Sequence, residues 1–268
     1  MEIKEIVIGI INSKNRVDFI KKFLRKNKIE FRELSYDAGC NIEVKINGTN
    51  DGEIIFLAHY DISMGTDEGA NDNTSSVAVL LSLLLYLKDK SPFYTIKIVF
   101  NDKEEFVGGL LSGSIVNGNM TKIIDKIGSF DYIKNHCSKG KNKGIFILEL
   151  SGIGDAVLIA KKSGKIDCSQ RLIDFATKVA KNNNFKYIHL PVPYTDMVSV
   201  HTFHYEGVVL TIVPYYEALN YANNKDTYPS IWNNIHSNKD NIFTIQEKSL
   251  NLMLNFVINL IENLSLLN

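Results

Sequence analysis

Apolar positions along this chain fall into short and long blocks. Runs at 54–58 (IIFLA), 95–100 (TIKIVF), 144–150 (GIFILEL) and 208–213 (VVLTIV) have strand length and are mostly apolar. They predict strands buried on both faces, and 156–160 predicts a further short one. Residues 41–46 alternate around Ile42, Val44 and Ile46 as a strand does. The turn cluster 47–52 (NGTNDG) predicts a hairpin joining that strand to 54–58. Residues 75–87, mostly Val, Ala and Leu, are too many for a strand and predict a buried helix. Val17, Ile20, Phe23 and Leu24 predict an amphipathic helix over 15–28, and Leu172, Ile173, Ala176, Val179 and Ala180 predict one over 170–182. Thr244 and Glu247 have the spacing of a capping box that opens a last helix through 264. Between these elements, 106–143 predicts a loop, one or two short helices and an exposed segment near 139–143. Residues 214–241 predict a long loop rich in Tyr, Asn and Asp.

Strands that alternate with helices predict an α/β fold: a mixed, mostly parallel twisted sheet with helices on both faces. The 268 residues are expected to form a single catalytic domain, 1–268, with no lid or protease-associated insert. Sheets of this kind bind ligands beyond the carboxyl ends of their strands. His59, Glu104 and Glu149 fall at or just past such ends.

Formal net charge is zero, so no basic surplus is available to neutralise phosphates, and nucleic acid is not an expected partner. The run 77–87 is shorter than the roughly 20 residues a bilayer requires, so no membrane role is expected. The N-terminus, MEIKEIVIGIINSKN, begins acidic and shows no clear cleavage site, unlike a signal peptide. Three cysteines, Cys40, Cys137 and Cys168, form no C-x-x-C pair and read as reduced thiols of a cytoplasmic protein.

The stretch HYDISMGTDEGAND, His59 to Asp72, places an imidazole and two carboxylates between a strand and the buried helix. Asp72-Asn73-Thr74 on its own reads equally as helix capping. The charge run Asp102-Lys103-Glu104-Glu105 on its own reads as a solvated turn, and His236 as a loop histidine. Glu149, inside IFILELSG, is different: a buried carboxylate must be paired, hydrogen-bonded or metal-bound. Together these groups supply five ligand-type side chains and a spare carboxylate. That is enough for two divalent ions sharing one carboxylate, with the spare group free to take a proton from water.

HYD (59–61), GANDN (69–73), the Glu104-Glu105 pair, ELSG (149–152) and HSNKD (236–240) occur in an order that resembles the co-catalytic di-zinc exopeptidases. This is the twenty-eighth metallopeptidase family, which includes bacterial leucyl-type aminopeptidases, glutamate carboxypeptidases and glutaminyl cyclases. The resemblance spans 59–240 and implies the zinc-dependent exopeptidase fold. It further implies that His59 and Glu149 hold one zinc, Glu105 and His236 the other, and that Asp72 bridges them. Asp61 would orient His59, and Glu104 would be the general base and then the acid. Glu149 stands where the family most often has Asp. Gly108, Gly109 and Gly113-Ser114 come later than the family's glycines, as a small insertion near the pocket would produce. The family's Ser-Asp-His segment is divided here between Thr195-Asp196-Met197 and Ser199-Val200-His201, with Asp196 a candidate substrate-binding residue.

The implied function is a metal-dependent aminopeptidase that hydrolyses an N-terminal peptide bond with a water shared by two zinc ions, on a peptide or small amide. A glutaminyl cyclase or amide hydrolase on the same fold is the alternative, and a binding module without catalysis is a third. The complete ligand set argues against the last.

Overall fold

The computed structural model describes residues 2–105, 126–224 and 227–267. Gly108, Gly109, Gly113 and Ser114 lie outside the described residues. Two helices open the chain, α1 (Ile3–Ile11) and α2 (Arg16–Lys26). The next elements are β1 (Arg32–Tyr36), β2 (Gly39–Ile46), β3 (Asn50–His59), α3 (Ser76–Leu87) and β4 (Tyr94–Asn101). Then follow α4 (Gly128–His136), β5 (Asn142–Glu149), β6 (Ala156–Ile159), β7 (Lys162–Ser163), β8 (Ile166–Asp167) and α5 (Gln170–Asn182). The rest is β9 (Tyr187–Ile188), β10 (Pro191–Val192), α6 (Met197–Thr202), β11 (Gly207–Val213), α7 (Tyr215–Asn223), α8 (Ser230–Asn234) and α9 (Glu247–Glu262).

The main sheet has the order β1-β2-β4-β3-β5-β11-β6-β9. Its centre, β4-β3-β5-β11, is parallel, and β2 and β6 flank it antiparallel. Residues Ile54, Ile55, Phe56, Leu57 and Ala58 of β3 are entirely buried, as a strand covered on both faces requires. Helices α3, α5 and α9 pack on one face of the sheet and α4 and α6 on the other. The small sheet β10-β7-β8 stands beside them. Among the described residues, no helix is long and apolar enough to cross a membrane.

The parallel centre aligns the future site. His59 pairs with Asn101, Leu57 with Ile147, and Glu149 with Thr211. The last residues of β3, β4 and β5 therefore form one row, continued by Thr211 of β11. Because β4 and β5 lie on opposite sides of β3, the connections leave in opposite directions and open a crevice at that row.

Three expectations are corrected. Residues 41–46 and 54–58 do not pair as a hairpin, because β4 inserts between them; the hairpin is β1 with β2. Residues 214–241 are not one loop but carry α7 and α8; Tyr221 of α7 stacks on Tyr228, and Trp232 of α8 meets both edge-on. Thr244 and Glu247 form no capping box. The Thr244 hydroxyl donates to the Asn241 carbonyl, within its own turn. Glu247 instead receives the backbone N–H groups of Ile3 (3.0 Å) and Lys4 (2.7 Å), at the open end of α1. A carboxylate there satisfies orphan donors and meets the positive end of the helix dipole. Glu247→Ala is therefore expected to cost about 1 kcal/mol, the usual worth of an N-terminal cap, read as a lower urea midpoint at unchanged slope.

Candidate metal centre

His59 is the last residue of β3 and is 1% exposed. The chain then loops through 60–69 and enters a tight irregular turn, Ala70–Ser75, before α3. Gly69 opens the turn with φ of 49°, and a Cβ on it would lie 2.6 Å from the Asp72 carbonyl oxygen. Glycine is the residue that fits there. Asp72 has non-helical backbone (φ −108°, ψ 94°), so its side chain leaves the path of α3.

The polar residues of this turn are cross-links rather than helix caps. Asn73 Nδ2 donates to the Leu148 carbonyl at 2.8 Å, and its Oδ1 accepts from Leu150 N–H at 3.2 Å. One side chain thus brackets Glu149 from both sides. Asn71 Oδ1 accepts from Gly152 N–H. From the far loop, the Asp240 carboxylate accepts the N–H groups of Asn71 (2.6 Å) and Asp72 (2.9 Å). Asp61 accepts the N–H groups of Glu104 (3.2 Å) and Glu105 (3.1 Å), which fixes the start of that segment.

The result is two triads that share one carboxylate. Asp72 Oδ1 is 3.3 Å from His59 Nε2, which is 3.5 Å from Glu149 Oε2. Asp72 Oδ2 is 3.4 Å from His236 Nε2, which is 3.1 Å from Glu105 Oε2. Glu104 Oε2 stands 4.0 Å from His59 Nε2, outside both triads. The other nitrogen of His59, Nδ1, faces Asp61 Oδ1 at 3.4 Å without the alignment of a hydrogen bond. Glu149 Oε1 is buried with no hydrogen-bond partner.

This donor set fits divalent zinc. Tetrahedral bonds of about 2.0–2.1 Å imply ligand-to-ligand separations of about 3.3–3.4 Å, and the separations in the two triads run from 3.1 to 3.5 Å. His59, Asp72 and Glu105 bring their ligand atoms within 4.8 Å of one another. Histidine and carboxylate oxygen are first-choice zinc ligands, and an orphaned buried carboxylate oxygen demands a cation.

The electrostatics carry the same message. Burial pushes Glu104 well above the ordinary carboxylate range, with Asp196, Glu149 and Glu105 adding repulsion. Burial also lifts Glu105, and raises Glu149 to about 7. Burial works against the charge of Asp72 too, but His236 and His59 hold it well below its usual value. Hydrogen bonds to Asp72 and Glu105 raise His236 to about 10. Burial opposes the charge of His59, yet Glu149, Asp61 and Asp72 lift it well above 6.5. Carboxylates crowded in a buried cleft favour positive charge in their midst, which is why both imidazoles are raised.

Strain marks the same place. His236, a candidate ligand, and Leu150 and Lys103, neighbours of Glu149 and Glu104, take φ of 58°, 49° and 64°. Such left-handed residues cost about 1–3 kcal/mol each and persist where surrounding contacts force them. The site opens into a cavity walled by Leu150, Val192, Pro193, Tyr194, Trp232 and Ile235, with Thr195 and Thr211 as polar points. Among the described residues no lysine or arginine lines it.

The sequence-derived ligands His59, Asp72, Glu105, Glu149 and His236, together with Glu104 and Asp61, thus converge on one volume. Asp196 does not line the cavity. It is fully buried behind it, accepting hydrogen bonds from Asn101 Nδ2 (2.7 Å) and Ser129 Oγ (2.5 Å). His201 and His204 lie outside the cavity lining. The cross-links made by Asn71 and Asn73 have no signal of their own in the sequence, because an Asn before a helix reads equally as a cap.

Peptidase family M28 matches residues 41–261. A comparison with curated proteins found no match. Among solved structures, a glutaminyl cyclase of Porphyromonas gingivalis is similar at 18% identity and TM-score 0.70, over 98% of this chain and 97% of that one. A Zn-dependent exopeptidase of Parabacteroides distasonis aligns at 17% identity and TM-score 0.71, over 98% and 97%. BSAP, a zinc aminopeptidase from Bacillus subtilis, aligns at 20% identity and TM-score 0.60 over 83% of this chain, which spans 49% of that one. At such identities the likeness is one of fold. The family match, over most of the chain and across all five motifs, shows that this protein belongs to peptidase family M28.

Proposed function

We propose that this protein is a two-zinc aminopeptidase. One observation carries the reading: the two oxygens of Asp72 each face a separate imidazole–glutamate pair, His59 with Glu149 and His236 with Glu105. Asp72 would bridge the ions and the two pairs would complete their protein ligands. Zinc at such a site polarises a carbonyl and acidifies water. Asp61 stands 3.4 Å from His59 Nδ1 and, by accepting the N–H groups of Glu104 and Glu105, keeps the base and a ligand in register with it. Glu104, next to His59 but outside both triads, accepts the proton of the attacking water and returns it to the leaving amine. A carboxylate whose pKa is already raised suits both halves of that transfer. The apolar wall favours an uncharged side chain at the cleaved residue.

A second reading is glutaminyl cyclase activity. It is favoured by the near full-length alignment of both chains with the P. gingivalis cyclase. There Glu104 would pass a proton from the substrate's amine to its departing side-chain amide. Incubation with Leu-Gly-Gly and Gln-Gly-Gly separates the readings. Free leucine supports the first, and ammonia with a cyclised N-terminus supports the second.

Metal removal should abolish turnover and lower thermal stability, since zinc binds the folded state through distant ligands. At free zinc 100 times its Kd, that stabilisation is about 2.7 kcal/mol. The effect has a defined pH sense. Without metal, His236 protonated against Asp72 and Glu105 stabilises the fold below about pH 6.5. That contribution is lost as pH rises towards about 10. Zinc must displace those protons, so its affinity rises with pH. The Tm difference between zinc-loaded and metal-free protein should therefore widen between about pH 6 and pH 9. A difference that is constant or narrows would show that the imidazoles are not ligands.

Glu104 and Glu105, neighbours in sequence, should separate by function. Glu104→Gln keeps shape and metal content but should cut kcat by about 10²–10⁴-fold, because the amide accepts no proton. Glu105→Gln should lose zinc from one site. Metal analysis with steady-state kinetics on both variants checks this. Retained turnover in Glu104→Gln together with full zinc in Glu105→Gln would overturn the assignment.

A further inference from the structure

Arg16 is the first residue of α2, ahead of the stretch that matches the family. Its guanidinium reaches into the loop that carries the site. Nη1 donates to Thr74 Oγ1 at 2.6 Å and approaches the Tyr60 carbonyl at 3.5 Å. Nη2 donates to the Glu68 carbonyl. Thr74 Oγ1 in turn donates to the Gly69 carbonyl at 2.7 Å. One rigid fork therefore touches the residue after His59, the residue before Gly69 and the residue two beyond Asp72.

We infer that Arg16 is a positioning residue for the metal centre: it closes loop 60–69 at both ends and thereby sets Asp72 against His59. The inference rests on the two-zinc reading. Helix α2 is a stable platform for this fork. The Asn15 side chain caps it by accepting Val17 and Asp18 N–H groups, and Ile20, Phe23 and Leu24 are buried beneath. The guanidinium also sits within the field of Asp61, Asp240 and Asp72. Burial brings Arg16 down only to about 10, so it stays cationic at neutral pH. Lysine could supply the charge but not the planar set of donors that reach three carbonyl and hydroxyl oxygens together.

Supporting groups that hold zinc ligands are commonly worth 10–100-fold in metal affinity. The experiment measures zinc affinity by competition with a chromogenic chelator for the wild type, Arg16→Met, Arg16→Lys and Thr74→Val. The thermal stability of each metal-free protein is measured alongside. Arg16→Met is expected to lower zinc affinity by about tenfold or more. Its kcat should fall more than its KM changes, Arg16→Lys should recover only part of the loss, and Thr74→Val should move in the same direction. If Arg16→Met fails to fold, Thr74→Val decides the matter. Wild-type zinc affinity in a folded Arg16→Met, or in Thr74→Val where Arg16→Met does not fold, would reduce Arg16 to a structural staple and overturn the inference. A wild type that binds no zinc would instead sink the two-metal reading itself.

Discussion

The carboxylate of Asp72, held between two imidazoles, is the constraint on which the site depends. Its oxygens cannot face His59 and His236 at once unless its backbone is fixed from outside. Asp240 does this by accepting the N–H of Asp72 and of the residue before it. Asp240 is itself pushed up to about 6 by burial, the cost of bringing a further acid into an already acidic cleft. The loop of His236 and the turn of Asp72 thus hold each other. Gly65 allows it, since a Cβ there would lie 2.4 Å from the His236 carbonyl oxygen.

The sheet supplies the other half of the geometry. Parallel register puts the ends of β3, β4 and β5 in one row, so His59 and Glu149 are aligned by backbone hydrogen bonds rather than by their own contacts. Asn73 then fastens the turn to that row on both sides of Glu149. Such satisfied polar cross-links are what allow several carboxylates and left-handed residues to persist in a buried place. The carboxylates raised by burial and the imidazoles raised by the carboxylates are two sides of one charge imbalance. Divalent metal at this place would relieve it.

Element by element, the central strands and α3 were legible because their apolar runs exceed what a surface segment carries, and α5 because its apolar residues recur at helical spacing. The failures share a cause. A turn cluster after 41–46 does predict a reversal, but nothing local tells whether the strand that follows pairs at once or leaves room for β4. Residues 214–241 carry α7 and α8, joined through the rings of Tyr221, Tyr228 and Trp232, a contact with no short-range signal. Glu247 has the right spacing for its own helix and is recruited by another, α1, 243 and 244 positions away.

Sequence alone was enough for the class of fold and for naming the candidate side chains that the structure gathers into one volume, because buried strands and five short motifs leave composition and order behind. It did not determine which polar residue touches which. Asp72-Asn73-Thr74 has the composition of a helix cap whether it caps a helix or, as here, faces two imidazoles, brackets Glu149 and receives Arg16. Asp196 looked like a pocket residue and lies behind the wall, held by Asn101 and Ser129. Those outcomes were decided by tertiary structure, because a hydrogen bond between residues 60 or 170 positions apart depends on where the sheet has carried both backbones. No window of sequence contains that distance.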